Sequence, residues 1–311
     1  MINSLVSAEK LRTPVLFLVF NRPDTTQRVF EAIRKAKPPR LYIAADGART
    51  DRPGEAQMVE QVREIAIAVD WPCDVKTLFR EVNLGCKYAV SGAITWFFEH
   101  EEQGIILEDD CLPSQSFFWF CENLLNHYKQ DLRIWHISGN NFYDQDTSDY
   151  SYTFGGVFGS IWGWATWRDR WSKYDVEISS FEEAQGSGLL RSCYGGGRIV
   201  NSRMKDFKAI RCGLNTWDFQ WVFCRWVNSA LTIVPSVNMV ENLGFGPNAT
   251  HTFGKPDPKK VKKAEEINFP LIHPSLIIRN ALMEATLLKR PVFILSYPKR
   301  VFKRILTWVK K

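Results

Sequence analysis

An α/β fold, with a mostly parallel sheet covered by helices, is predicted by three observations. Four short apolar runs of strand length recur along the first third of the chain, at 15–20 (VLFLVF), 41–48 (LYIAADGA), 75–81 (VKTLFRE) and 104–110 (GIILEDD). The stretches between them carry apolar residues at helical spacing, and every run ends in polar residues. Strand alternating with helix is the pattern of parallel sheets whose two faces are both covered.

In order, the first run is followed by Asn21, Arg22, Pro23 and Asp24, then by TTQRVFEAIRKAK with apolar residues at 29, 32, 33 and 36, a helix for which Asp24 is the expected N-cap. The second run leads into RPGEAQMVEQVREIAIAV, where Val59, Val62, Ile65, Ile67 and Val69 fall mostly on one side. The third leads into KYAVSGAITWFFEH at 87–100, and the fourth closes the series. Further on, 117–130 reads as a helix, 134–140 (IWHISGN) as a fifth strand, 255–263 as an exposed loop and 275–288 as a late helix. Residues 150–254 are rich in tryptophan and glycine; an aromatic core accounts for them, and a platform for stacking sugars is the alternative.

Composition narrows the class. A chain of 311 residues with 45% hydrophobic and 24% charged residues can bury a large core and is not disordered. The seven cysteines are scattered without a CxxC pair, which predicts reduced thiols and argues against zinc. No leader-like segment or long apolar run occurs, so the sequence predicts a cytoplasmic protein. Residues 289–311 hold eight Lys or Arg and no acid, so of the net charge of +6 the remainder carries 6 − 8 = −2. A slightly acidic body argues against nucleic acid as a partner.

Ligands in parallel sheets bind outside the carboxyl ends of the strands. Those ends carry Asn21 and Arg22, Asp46, Arg80 with Asn83, and the adjacent acids Glu108, Asp109 and Asp110. Three neighbouring carboxylates repel one another, so they require exposure or a cation. Strand alternation would place Glu108 and Asp110 on one side, able to grip a divalent cation, with Asp109 on the other. Asp46 can accept hydrogen bonds from a ribose or base, or form an Asp-Gly turn. Arg22 and Arg80 can contact phosphate or the acids themselves.

PVLFLVFNRP, LYIAADGA, REVNLGCKYAV and ILEDDC, within residues 14–141, resemble the successive landmarks of the nucleotide-binding half of GT-A glycosyltransferases. The chain is similar to the bacterial nucleotide-diphospho-sugar transferases of surface-polysaccharide clusters (family 2-like) and, more distantly, to N-acetylglucosaminyltransferase I. The resemblance implies a Rossmann-like domain over 1–270, with a nucleotide-binding half at 14–141 and an aromatic-rich acceptor half at 142–254, and C-terminal helices over 271–311. It implies a UDP-sugar donor held through manganese, or magnesium, on Asp110 and Glu108. Asn21, Arg22, Asp46, Arg80, Asn83, Glu108, Asp109 and His251 would lie around the donor, His251 in a glycine-punctuated loop shaped by Asn242, Gly244 and Gly246. FGSIWGWATWRDRW (158–171) is similar to the acceptor-side segment, and NTWDFQW (215–221) to the WDDW-type helix start that carries the base of an inverting transfer. Asp218 takes the base position there; Phe219 replaces the second acid, and Gln220 precedes Trp221. A helix cap is the simpler account of Asp218.

In 298–311 (PKRVFKRILTWVKK) the apolar residues cluster on one helical side among basic ones, as in helices that lie on a membrane face. The implied acceptor is a glycan or lipid-linked oligosaccharide, with contact at the inner leaflet. Two rivals remain: a nucleotidyltransferase that makes the sugar nucleotide, which FNRPDTT in place of a Gly-rich loop with Lys disfavours, and a non-enzymatic, haemolysin-like membrane-active or glycan-binding protein.

Overall fold

The computed structural model describes residues 10–142, 149–157, 159–194, 198–244 and 262–288. The four predicted runs form strands β1 (Val15–Val19), β2 (Arg40–Ala45), β3 (Asp74–Phe79) and β4 (Gln103–Glu108), alternating with helices α1 (Pro23–Ala36), α2 (Glu55–Ile67) and α3 (Gly85–His100). All five residues of β1 are buried, because the sheet is covered on both faces. Val15, Phe17 and Val19 join the cluster under α1 and α4 (Gln115–His127), whereas Leu16 and Leu18 join Ile94, Phe97 and the tryptophans on the α3 side. At the start of α1 the N-cap is Arg22, with Pro23 at the first helical position; Asp24 lies in the first turn and caps nothing. Proline suits that position because the N–H it lacks would have no helical partner anyway.

The main sheet has eight strands in the order β3-β2-β1-β4-β8-β6-β9-β7, completed by β6 (Ile134–Ser138), β7 (Tyr152–Gly155), β8 (Trp164–Trp167) and β9 (Leu231–Pro235). β8 is antiparallel to both β4 and β6, so β6 and its parallel neighbour β9 run the same way as β1 to β4. β7 pairs antiparallel with β9 at the edge. The nucleotide-side and acceptor-side halves expected from the sequence therefore share one sheet, because β8 is inserted between two strands of the first half. A small second sheet pairs β5 (Cys111–Pro113) with β10 (Val240–Asn242) just beyond the end of β4.

The short helices α5 (Arg168–Trp171), α6 (Phe181–Gly186) and α7 (Leu189–Tyr194) and the longer α8 (Arg198–Arg211) and α9 (Asp218–Val227) cover the far side. The late helix is α10 (Ala281–Leu288), shorter than the expected 275–288. Trp164, Trp171, Trp217 and Trp221 pack on one another, with ring centroids 5.3 Å apart for Trp171 and Trp221 and 5.8 Å for Trp164 and Trp217. All four are buried, so the core reading holds for them and the stacking-platform reading does not. All seven cysteines are free thiols. Among the described residues, no helix is long and apolar enough to cross a membrane. The expectations for His251, Gly246 and the tail 298–311 lie outside the described residues, as does most of the loop 255–263.

Candidate functional site

The acidic trio sits where β4 leaves the sheet, but its sides divide differently from the expectation. β4 ends at Glu108, and Asp109 and Asp110 form a turn, so strand alternation stops before Asp110. Glu108 has the parity of Ile106 and faces α3 and α9. Asp109 and Asp110 instead share Arg22, whose guanidinium reaches Asp109 Oδ1 at 3.0 Å and Asp110 Oδ2 at 2.6 Å. The Phe20 N–H also donates to Asp109 Oδ2 at 3.1 Å.

These contacts set the charges. Burial pulls the Arg22 pKa down, but Asp109, Asp110 and Glu108 outweigh it and hold the guanidinium charged beyond its usual range. Burial pushes the Asp109 carboxyl up to about 6, against the pull of Arg22. Glu108 is raised well above the carboxylate range, first by burial, then by Asp110 and Asp109, with Asp218 adding to the effect. Its Oε1 is buried without a hydrogen-bond partner.

The other strand ends mostly tie the site together. Asp46 accepts the N–H groups of Leu84 and Gly85 at 3.0 to 3.1 Å, at the exposed N-terminus of α3, where a helix has unpaired donors. Both of its carboxylate oxygens thus accept backbone N–H groups. Gly47 follows because a Cβ there would lie 2.5 Å from the Val82 carbonyl carbon, and the Asn83 side-chain amide donates to the Gly47 carbonyl at 2.7 Å. Arg80 is half-buried against Gly92 of α3; burial lowers its pKa and Asp46 opposes that. Asn21 donates to Glu55 at 2.8 Å. Glu55 is also paired with Arg49 and accepts the Arg49 N–H at 2.7 Å, which together hold its pKa below the usual range.

Asp218 comes to the same place from the second half of the chain. It is the first residue of α9 and is half-buried; the N-cap is Trp217, and no side chain caps the helix, so the cap account does not describe Asp218. Its carboxylate accepts the Thr216 hydroxyl, and the Thr216 carbonyl accepts Gln220 Nε2 at 2.6 Å. Burial raises the Cys86 thiol pKa, and the charges of Glu108, Asp218 and, least, Asp46 add to it. Asn215 fixes the approach: its Oδ1 accepts the Lys87 N–H at 2.8 Å, so the segment before α9 is bonded to the first turn of α3.

β10 supplies the last wall. The Leu243 N–H donates to the Asp110 carbonyl at 2.7 Å, and the Gly244 N–H to Asn242 Oδ1 at 2.7 Å. A Cβ on Gly244 would overlap Asp110 Oδ2 and approach Arg22 Nη1 to 3.1 Å, so the glycine permits this closeness. The structure therefore brings Arg22, Glu108, Asp109, Asp110, Asp218, Asn242 and Gly244 together, with Asp46 and Asn83 bracing one side and Asn21 the other. The sequence reading missed Glu55, Arg49 and Asn215; only Asn215, three residues before the candidate base, carried a local signal.

The fit of a divalent cation rests on these oxygens. Among the described residues, no three His, Cys, Asp or Glu side chains form a metal cage. Glu108 and Asp110 provide two carboxylates, one with an orphaned buried oxygen, beside a charge cluster that Arg22 balances only in part. That donor set suits a hard cation that takes one or two carboxylates and draws its remaining ligands from phosphate and water.

No protein-family model and no curated protein matches the sequence. Among solved structures, apo UDP-glucose pyrophosphorylase is similar at 9% identity, covering 75% of this chain and 93% of that one, with a TM-score of 0.37. Mouse xyloside xylosyltransferase 1 is similar at 9% identity over 70% and 81% of the two chains, with a TM-score of 0.34. The inositol-1-phosphate CTP transferase from T. maritima gives 10% identity, 57% and 83%, and 0.33. Likenesses this faint carry no argument; the α/β assignment, a mostly parallel eight-stranded sheet flanked by helices, rests on the sheet itself.

Proposed function

We propose that the chain is a glycosyltransferase that moves a sugar from a nucleoside-diphosphate donor, UDP-linked, to a hydroxyl of a glycan or lipid-linked acceptor. The observation that supports this reading is the cluster of Arg22 with Asp109 and Asp110 at the carboxyl ends of β1 and β4, with Asp218 on the segment that Asn215 bonds to the first turn of α3. Glu108 and Asp110 would hold a manganese or magnesium ion. When bound, that ion supplies positive charge to the donor diphosphate, both in the ground state and as it departs. Arg22, kept charged by the acids, adds a fixed cation at the same strand ends.

Asp218 is the base of the proposed transfer. Its carboxylate takes the acceptor hydroxyl proton as that oxygen forms its bond to the anomeric carbon, and the bond from that carbon to the diphosphate oxygen breaks. Attack from the side opposite the leaving group inverts the anomeric centre. The Thr216 hydroxyl donating to Asp218 orients the carboxylate and leaves its other oxygen for the acceptor.

Calorimetric titration of UDP with and without manganese, together with hydrolysis of a panel of UDP-sugars, tests the reading. Asp110→Ala should abolish metal-dependent UDP binding. Asp218→Asn should retain it while turnover falls by about 100-fold or more, the usual contribution of a positioned base. Absence of metal-dependent UDP binding by the unaltered protein would refute the proposal.

A further inference from the structure

Of the eleven residues that line a cavity of about 410 Å³ at the amino ends of β1 and β4, only Pro14 is apolar. Small-molecule sites, roughly 300–1,000 Å³ in volume, are mostly apolar with a few polar groups, so a lining of the reverse kind suits a ligand that is polar throughout. The cavity is at the far end of the sheet from the acidic trio. Gln103 and Glu108 bound β4, and a strand of that length separates the two places by about 17 Å.

Its walls are fixed largely by carboxylates with partners. Glu101, at the end of α3, accepts Arg40 Nε at 2.6 Å and the Tyr42 hydroxyl at 2.9 Å. Glu122 Oε2, on α4, accepts the N–H groups of Arg12 and Thr13 at 2.7 Å and the Thr13 hydroxyl at 2.8 Å. Lys129 Nζ donates to Glu102 Oε2 at 2.8 Å. Three acidic and three basic side chains therefore balance around the cavity, and an ion of either sign would meet repulsion as well as attraction.

Hydrogen-bonding capacity remains on both signs of that balance. Among the described residues, Glu102 and Glu122 each bond through Oε2, which leaves Oε1 as an acceptor. Asn126 lies one helical turn after Glu122, on the same face of α4. Its Oδ1 accepts Gln103 Nε2 at 3.1 Å, so its own amide N–H groups can donate, as can the remaining N–H groups of Lys129. Gln103 Oε1 has no partner. A hydroxyl both donates and accepts, and a ring that carries several of them matches such interleaved acceptors and donors. We propose that this cavity binds a neutral saccharide. The inference is independent of the reaction proposed above, because it uses none of the residues at the carboxyl ends of the strands.

Saturation-transfer NMR titrations of the full chain with lactose, maltose and N,N′-diacetylchitobiose, without metal or nucleotide, should show binding. Glucuronate and glucosamine, which add a charge to the glucose ring, should bind severalfold more weakly than glucose. Replacing Glu102 and Asn126 together by Ala removes an acceptor and a donor, and should weaken disaccharide binding about tenfold or more. Both residues are exposed, so the thermal melt of this variant should match the parent. Asp218→Asn and Asp110→Ala should leave disaccharide binding unchanged. Absence of binding by all three disaccharides, equal or tighter binding of the charged sugars, or unchanged binding by the double variant overturns the proposal. Loss of binding in Asp218→Asn also overturns it, since the saccharide then occupies the place proposed for the acceptor.

Discussion

Asp110 is held from three directions: by the Arg22 guanidinium, by the Leu243 N–H on its carbonyl, and by Gly244, which leaves room for its carboxylate. A methyl group at position 244 has to displace that carboxylate or the turn carrying it. Gly244→Ala should therefore weaken metal-dependent UDP binding at a cost of about 1–3 kcal/mol, typical of overpacking, while the circular-dichroism spectrum stays that of the parent. Unchanged UDP affinity in this variant would mean that Asp110 does not hold the donor. The position of the trio was legible in the sequence because an apolar run ending in three acids marks a strand end. The pairing of Asp109 and Asp110 through Arg22 was not, since alternation along the strand says nothing about the turn that follows it.

At the scale of elements, the site depends on how the N-termini of α3 and α9 meet. Asp46 caps the first and Asn215 joins it to the second, so the candidate base is tied to α3 through one amide bridge. Asn215→Ala removes a hydrogen bond worth about 1 kcal/mol and frees the segment that carries Asp218. The expected result is a fall in UDP-sugar turnover with UDP affinity preserved, measured by steady-state kinetics beside calorimetry; equal losses in both would place Asn215 in donor binding instead. The helices themselves were legible from their spacing. Their caps were less so: Asp24 looks like an N-cap in sequence, yet Pro23 starts α1 one residue earlier. β8 was missed because WATW lacks the length and alternation that mark a strand, although all four of its residues are buried.

At the scale of the whole molecule, β6 runs through the middle of the second half of the sheet, and His136 on it is fully buried. Its Nδ1 accepts Trp221 Nε1–H at 3.1 Å, so its Nε2–H donates to the Ser160 carbonyl at 2.9 Å and the ring is neutral. Burial, then the charge of Arg225, pushes its pKa well below the ordinary value, against the hydrogen bond to Ser160. Below pH of about 6.5 the unfolded chain takes up a proton here that the folded chain refuses, so this contribution to stability is lost as pH falls, by about 1.4 kcal/mol per pH unit. The raised carboxyls of Glu108 and Asp109 act in the opposite sense over the same range, so the His136 part is read as a difference. Urea melts of His136→Gln should lose less stability, or gain more, than the parent between neutral and mildly acidic pH, and an identical pH dependence in the two would mean that His136 contributes none of it. The sequence by itself determined the strand-helix alternation and the collection of polar residues at strand ends, because those signals lie between neighbours in the chain. Only the tertiary structure decided that β8 enters between β4 and β6, that Asp46 serves a helix terminus, and that Asp218 comes to Glu108. Such pairings join residues as far apart as the 88 positions between Arg22 and Asp110, and nothing local in the chain encodes which distant partner a charge will find.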